Sequence, residues 1–245
     1  MALLVEDGVR YPFRGDRWTD LLAVGGLLGL VTSIALQLAT AISPSTVSLA
    51  FVGTAAVPTV ALLGYLYRVF ETTVDGDDTP PQFRPITALL RGGCRLLAVS
   101  IGYAIGPLVV VAVTVGGLVQ VPFAPEATGF VGSMLFFGAS TTVLVLIVGF
   151  GYAFPATIGR LVDERRGLEP AGGRLQWPIL RHGGYFTAWA FAALFVVPGW
   201  AFLLTAISSP TSFGVVAAFV AFYAHVVGAR LVARGYRRAR RDATP

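Results

Sequence analysis

Lysine is absent from this chain of 245 residues, charge of either sign is scarce at 13%, and cysteine occurs once, at Cys94. Each shortage excludes something. A soluble domain carries roughly 25% charged residues. Half that share is too little to cover a water-exposed surface, and a hydrophobic content of 55% with a mean hydropathy of +0.74 turns most of the surface toward lipid. One cysteine makes neither an intrachain disulfide nor a cysteine-based metal cluster. The two histidines, His182 and His225, do not complete a three-ligand catalytic zinc site. No His-Glu-x-x-His, Gly-x-Ser-x-Gly, P-loop or Cys-x-x-Cys pattern occurs. Gly149-Phe150-Gly151 lacks the third glycine of a dinucleotide turn and reads instead as helix packing or a bend near Pro155. No catalytic, cofactor-binding or metal-ligating residue is expected, and the chain reads as a non-enzyme.

What is present is long apolar sequence. Four stretches carry no Asp, Glu or Arg: Leu21 to Tyr67, Leu96 to Pro125, Ala127 to Gly159 and His182 to Ala229, of 47, 30, 33 and 48 residues. A single helix of 47 residues is about 70 Å long, over twice the hydrocarbon thickness of a bilayer. The two longest stretches therefore fold back, and each has a turn signal near its middle, Ser43-Pro44-Ser45-Thr46 and Ser208-Ser209-Pro210-Thr211. The middle pair is separated by Pro122, Phe123, Ala124, Pro125 and Glu126. The expected fold is all-α and polytopic: six transmembrane helices in three hairpins, at approximately 21–42, 47–68, 96–120, 128–155, 186–207 and 213–233. Residues 1–20 and 235–245 are expected as cytoplasmic tails. Continuous apolar runs exclude a membrane β-barrel, whose strands alternate. No cleavable leader is expected, because Glu6, Asp7, Asp16 and Asp20 crowd the first twenty residues.

Six spans place the N-terminus, the 68–95 loop, the 160–184 loop and the C-terminus on one side. Those segments hold three, four, five and six arginines, all 18 in the chain, and the opposite loops hold none. By the positive-inside rule that side is cytoplasmic. The pI near 9.8 thus reflects orientation rather than nucleic-acid binding. The arginine-rich C-terminal segment, from Arg230 to Arg241, reads as a juxtamembrane tail attracted to anionic lipid headgroups.

The cytoplasmic segments resemble one another. An aromatic-proline element precedes each hairpin, at Tyr11-Pro12, Phe83-Arg84-Pro85 and Trp177-Pro178, and Leu90-Arg91-Gly92-Gly93 is echoed by Leu180-Arg181-His182-Gly183-Gly184. Each hairpin leaves through an arginine: Arg68-Val69-Phe70, Arg160-Leu161-Val162 and Arg230-Leu231-Val232. Trp18, Phe83, Trp177, Arg68, Arg160 and Arg230 are accordingly candidate interfacial residues, in short segments at headgroup level on the cytoplasmic face. Inside the spans, His225 is the one ionisable side chain, and Ser140, Thr141 and Thr142 form a polar patch. These four are the candidate intramembrane polar residues, for helix–helix hydrogen bonds or for a conduit. Asp75, Asp77 and Asp78 look like half of a calcium loop, but the twelfth position holds Ile86 where an EF-hand needs Glu. A solvated turn pairing with Arg84 or Arg91 is the expected role.

Tyr11-Pro12-Phe13-Arg14-Gly15-Asp16-Arg17-Trp18, Gly64-Tyr65-Leu66-Tyr67-Arg68-Val69, Asp75-Gly76-Asp77-Asp78-Thr79-Pro80-Pro81, Gly184-Tyr185-Phe186-Thr187-Ala188-Trp189 and Phe222-Tyr223 together resemble a membrane family found mainly in halophilic archaea. That family is the domain of unknown function 4013. The resemblance runs from about Glu6 to Tyr236, with the Asp-Gly-Asp-Asp-x-Pro-Pro segment its most specific part. It implies a multi-helix protein of an archaeal plasma membrane and supplies no activity, cofactor or catalytic residue. The expected function is that of a membrane scaffold, lipid-binding protein or accessory subunit of a membrane partner, with a small-solute permease or channel as the alternative.

Overall fold

The computed structural model describes residues 2–120, 129–164 and 176–243, and they are helical. A short helix α1 (Ala2–Arg10) and a 3-10 turn (Tyr11–Phe13) lead into α2 (Trp18–Ala41) and α3 (Thr46–Asp75). Then come α4 (Ile86–Gln120), α5 (Gly129–Glu164), the five-residue α6 (Gln176–Leu180), α7 (Gly183–Ser208) and α8 (Ser212–Ala243). Six of these, α2, α3, α4, α5, α7 and α8, are long and apolar enough to cross a membrane. The connection through Pro122, Phe123, Ala124, Pro125 and Glu126 lies outside the described residues.

The two longest apolar runs break at their proline-serine turns. Helix α2 ends at Ala41, and Ser45 caps α3 by accepting the Ser48 N–H at 3.2 Å. Helix α7 ends at Ser208 and α8 begins at Ser212. On the arginine-rich side, in contrast, helices outrun the apolar sequence. Helix α3 continues to Asp75, α4 begins at Ile86, α5 continues to Glu164, and α8 to Ala243. Hydropathy marks where lipid contact stops. Backbone hydrogen bonding does not stop there, and packing against neighbours carries the helix on.

Helix α8 is central. It packs along α7 and also against α2 and α3, and 61% of its most apolar window is buried, against 6% for α4 and none for α5. Small residues let the backbones approach. A Cβ on Gly25 or Gly26 of α2 meets the ring of Phe222 or Phe219 at 2.2 or 2.1 Å. The closest crossing joins α3 to α4: a Cβ on Gly64 sits 2.0 Å from the Leu89 carbonyl oxygen, and one on Gly93 sits 1.9 Å from that of Val60. These are backbone atoms, so no rotamer change relieves the clash. Beyond that crossing α4 and α5 lean outward, exposing Ile101, Ile105, Leu108, Phe136, Phe137 and Leu144.

Prolines inside spans release carbonyls that lipid does not solvate. Pro155 in α5 leaves the Gly151 carbonyl without its helical donor, and the Trp189 indole N–H of α7 donates to it at 3.0 Å. The neighbouring Tyr152 carbonyl accepts from the Tyr185 hydroxyl at 2.8 Å, while the Tyr152 hydroxyl donates to the Leu180 carbonyl at 2.6 Å. At the opposite end, Gln37 of α2 donates to the Ala206 and Ser209 carbonyls that terminate α7.

Three substitutions test this packing by thermal unfolding in detergent. Gly93→Ala should cost about 1–3 kcal/mol through overpacking, whereas Gly102→Ala, with nothing within 4 Å of its Cβ, should be neutral or stabilising. Trp189→Phe keeps the apolar contact but strands the Gly151 carbonyl, and should cost about 0.6–2 kcal/mol.

Candidate functional site

The densest polar constellation lies where α1, the 3-10 turn, the end of α3 and the middle of α8 converge. Its centre is Arg230, whose side chain is 1% exposed. Placing a guanidinium there costs several kcal/mol of desolvation unless its donors are matched. Matching comes from two segments far from it in sequence, residues 73–78 and 7–11. Nη1 donates to the Asp77 carbonyl at 2.6 Å and to Thr73 Oγ1 at 3.2 Å, and Nη2 donates to the Asp78 carboxylate. Nε faces Asp7 Oδ2 across 3.6 Å, an ion pair without a hydrogen bond. The guanidinium also lies over the Tyr11 ring, 4.4 Å from its centroid.

Asp7 gathers further charge. Arg14 donates to its Oδ1 at 2.5 Å, and Arg234, one turn beyond Arg230 on α8, pairs with Oδ2. Burial by itself raises this carboxyl, but Arg14, Arg234 and Arg230 outweigh it and hold Asp7 below the usual aspartate range. Burial pushes the Tyr11 phenol up, so it stays neutral in the physiological range. Apolar contacts complete the docking of α1. Leu4 and Val9 pack on the core, Gly8 lies so close to Leu231 that a Cβ there meets it at 2.7 Å, and the Tyr223 hydroxyl donates to the Val9 carbonyl at 2.9 Å.

The turn after α3 is built to reach Arg230. Gly76 closes the helix at φ +103°, a conformation costly for residues with a Cβ, and its N–H and that of Asp77 bond back to Thr72. Arg237 of α8 lies against Gly76, where a Cβ meets its Nη2 at 2.4 Å. The expectation that the acidic turn pairs with Arg84 or Arg91 is thus corrected: Asp77 and Asp78 serve Arg230, which lies 152 residues further along the chain from Asp78. Charge run and partner are too far apart in sequence for proximity to have revealed the pairing.

Two smaller ties lie further along α8. Asp163 at the end of α5 is buried, accepts from the Tyr236 hydroxyl at 2.7 Å and pairs with Arg240. His182, which caps α7 by accepting the Gly184 N–H, pairs with Asp242 at 3.0 Å. The arginine-rich end of α8 is therefore a helix docked on α1, the α3–α4 turn, α5 and the start of α7.

The remaining candidates are dispersed. His225 sits between α7 and α8, with Nδ1 2.7 Å from the Ala221 carbonyl and the ring edge-on to Trp200. A carbonyl only accepts, so Nδ1 carries the proton. Ser140, Thr141 and Thr142 are exposed on α5, and Thr142 donates to the Gly138 carbonyl of its own helix. The structure does not bring this patch together with His225. Trp18 is exposed and meets the Phe13 ring. Trp177 is 59% exposed, with the Arg181 guanidinium over its ring at 4.7 Å. Phe83 instead stacks on Tyr65 at 4.3 Å and, half-buried, packs against the core. The exit arginines diverge too. Arg68 donates to the Gln82 and Arg84 carbonyls, Arg160 pairs with Glu164 at 2.6 Å, and Arg230 is buried rather than interfacial. Sequence reasoning missed Asp7, Thr73, Asp163 and Tyr236. For Asp163 the signal was an acid at the end of an apolar run facing six arginines. Among the described residues, no three His, Cys, Asp or Glu side chains come together as a metal site.

These features define a multi-pass helical membrane protein whose charged groups tie helices together. The family model described as a protein of unknown function, DUF4013, matches residues 47–209, and the chain belongs to that family. The match includes the Asp75–Asp78 turn and Asp163, while Asp7 and Arg230 lie outside it. Neither a curated protein nor a solved structure matches the chain.

Removing Arg230 should be far worse than removing either carboxylate. Arg230→Ala should cost about 3–5 kcal/mol, as expected for breaking a buried charge network. Asp78, 73% exposed, should contribute under about 1 kcal/mol in Asp78→Asn. The lowered Asp7 value fixes the sign of the pH dependence: its contribution is complete above the unfolded aspartate value near ~3.9 and is lost as pH falls through the lower folded value. Asp7→Asn should therefore flatten the acid limb of a stability-versus-pH curve measured in detergent.

Proposed function

We propose that this chain is a non-enzymatic membrane scaffold: a plasma-membrane protein of archaeal type, folded as three helical hairpins with both termini in the cytoplasm. It binds lipid or serves as the membrane subunit of a larger assembly. One observation carries the reading. The polar side chains that a membrane enzyme or carrier uses on a substrate are here engaged in joining helices, as in Arg230 with Asp7 and Asp78, Asp163 with Tyr236 and Arg240, and Gln37 with the end of α7. The permease reading needs a polar path, and its proposed lining is divided between the α7–α8 interface and the outer surface of α5. The distribution of arginines, all 18 on one side, supports the cytoplasmic placement of the termini.

Purification from native membranes in mild detergent, with mass spectrometry of what accompanies the chain, tests this function. A stoichiometric protein partner or a retained lipid is expected. A chain that purifies alone and lipid-free, and in liposomes carries a flux abolished by His225→Ala, overturns it. Orientation has its own test, since Cys94 is exposed and is the sole cysteine. A membrane-impermeant maleimide should leave Cys94 unlabelled in intact cells and label it in inverted vesicles. The reverse pattern contradicts the assignment.

A further inference from the structure

The arginines of this face are not equivalent. Of the nine in α8 and the N-terminal segment, five pair with acids among the described residues: Arg10 with Glu6, Arg14 and Arg234 with Asp7, Arg230 with Asp7 and Asp78, and Arg240 with Asp163. Arg91 and Arg95 of α4, by contrast, are exposed and have no acidic partner among the described residues. They stand four residues apart, hence on one face of the helix. Arg84, also exposed, precedes the same helix and lines an open surface recess with Pro85, Ile86 and Thr87.

The same face then changes character. From Arg95 it continues through Ala98, Gly102, Ile105, Val109 and Val113; the side chains are exposed, and Gly102 leaves open space. The rise of 1.5 Å per residue puts Ile105 about 15 Å beyond Arg95. Unneutralised positive charge thus adjoins an aliphatic surface on one helix, at the end of a span, where headgroup meets acyl chain. A soluble anion uses only the charged half of that face. An anionic lipid uses both halves, with its phosphate on the guanidiniums and a chain along Ile105, Val109 and Val113.

We propose that the exposed face of α4, with Arg91 and Arg95 at its head and Arg84 beside it, is a docking site for an anionic phospholipid. The proposal rests on the lipid-binding reading above and specifies it. It places lipid recognition at the start of α4, where unpaired arginines adjoin exposed aliphatic surface, rather than at the arginine-rich end of α8, where Arg230, Arg234 and Arg240 are held by Asp7, Asp78 and Asp163.

The test titrates the purified full-length protein, delipidated in a neutral detergent, with phosphatidylglycerol or phosphatidylcholine, and counts bound lipid by native mass spectrometry. Wild type should prefer phosphatidylglycerol. Two arginines at roughly 1 kcal/mol each correspond to a loss of about tenfold or more in that preference for Arg91→Gln/Arg95→Gln. Arg91→Lys/Arg95→Lys should retain most of it, and so should the control Arg238→Gln/Arg241→Gln. Both altered sites are exposed, and unchanged thermal unfolding verifies that each variant folds. Wild-type preference in the α4 Gln variant, or a loss that follows the α8 control instead, overturns the α4 site while leaving the lipid-binding reading in place. Absence of any preference in wild type overturns both. Displacement of phosphatidylglycerol by millimolar inorganic phosphate also overturns the proposal, since a simple anion then suffices.

Discussion

A guanidinium buried on the central helix is the constraint on which the arginine-rich half of this molecule depends. Arg230 cannot be left without acceptors in that environment, and its acceptors come from α1, from Thr73 on α3 and from the turn that follows it. Satisfying one side chain therefore fixes the position of the N-terminal helix, the shape of the α3–α4 turn and the rotation of α8. Burial of a charge is weak evidence for added stability, because an apolar replacement of equal volume is often no less stable. What the arrangement secures is register: α8 has one rotation and one depth at which Arg230, Arg234 and Arg240 all reach carboxylates.

Within the apolar spans a different rule holds. There the ties are apolar contacts, close backbone approach and single hydrogen bonds to carbonyls that proline or a helix end has released. Trp189 to Gly151 and Gln37 to Ala206 both spend a polar side chain where lipid offers no alternative partner. Helices α2, α3, α7 and α8 form the packed part of the molecule, and α4 and α5 present most of their length outward. The molecule thus has a well-tied core and one pair of helices whose apolar side chains are largely exposed.

The sequence made the gross architecture legible because the signals were local. Apolar runs too long for one span, each broken by a serine-proline turn, specify where helices begin and end without reference to anything distant. The expected end of α8 was less informative, since arginine at Arg234 and Arg237 ends a hydropathy profile without ending a helix. Side-chain partnerships were largely illegible. The Asp75–Asp78 turn stood out as a motif, but its partner was 152 residues away and no local pattern points there. Asp7 looked like an ordinary acid in a terminal segment until α1 was seen docked against Leu231 and Tyr223. Arg68, Arg160 and Arg230 occupy similar places in a repeated pattern and yet do three different things, because burial, which periodicity does not report, differs among them.

The measurement closest to the central claim is a double-mutant cycle between Arg230 and Asp7, using Arg230→Ala, Asp7→Ala and the pair, with stability read by reversible unfolding in detergent. If Arg230 organises the arginine-rich face through the N-terminal helix, the two substitutions should be non-additive by about 1–3 kcal/mol, the range found for residues sharing one charge network. Additivity within about 0.5 kcal/mol contradicts it: α1 then rests on its apolar contacts alone, and the buried arginine organises nothing beyond its own turn.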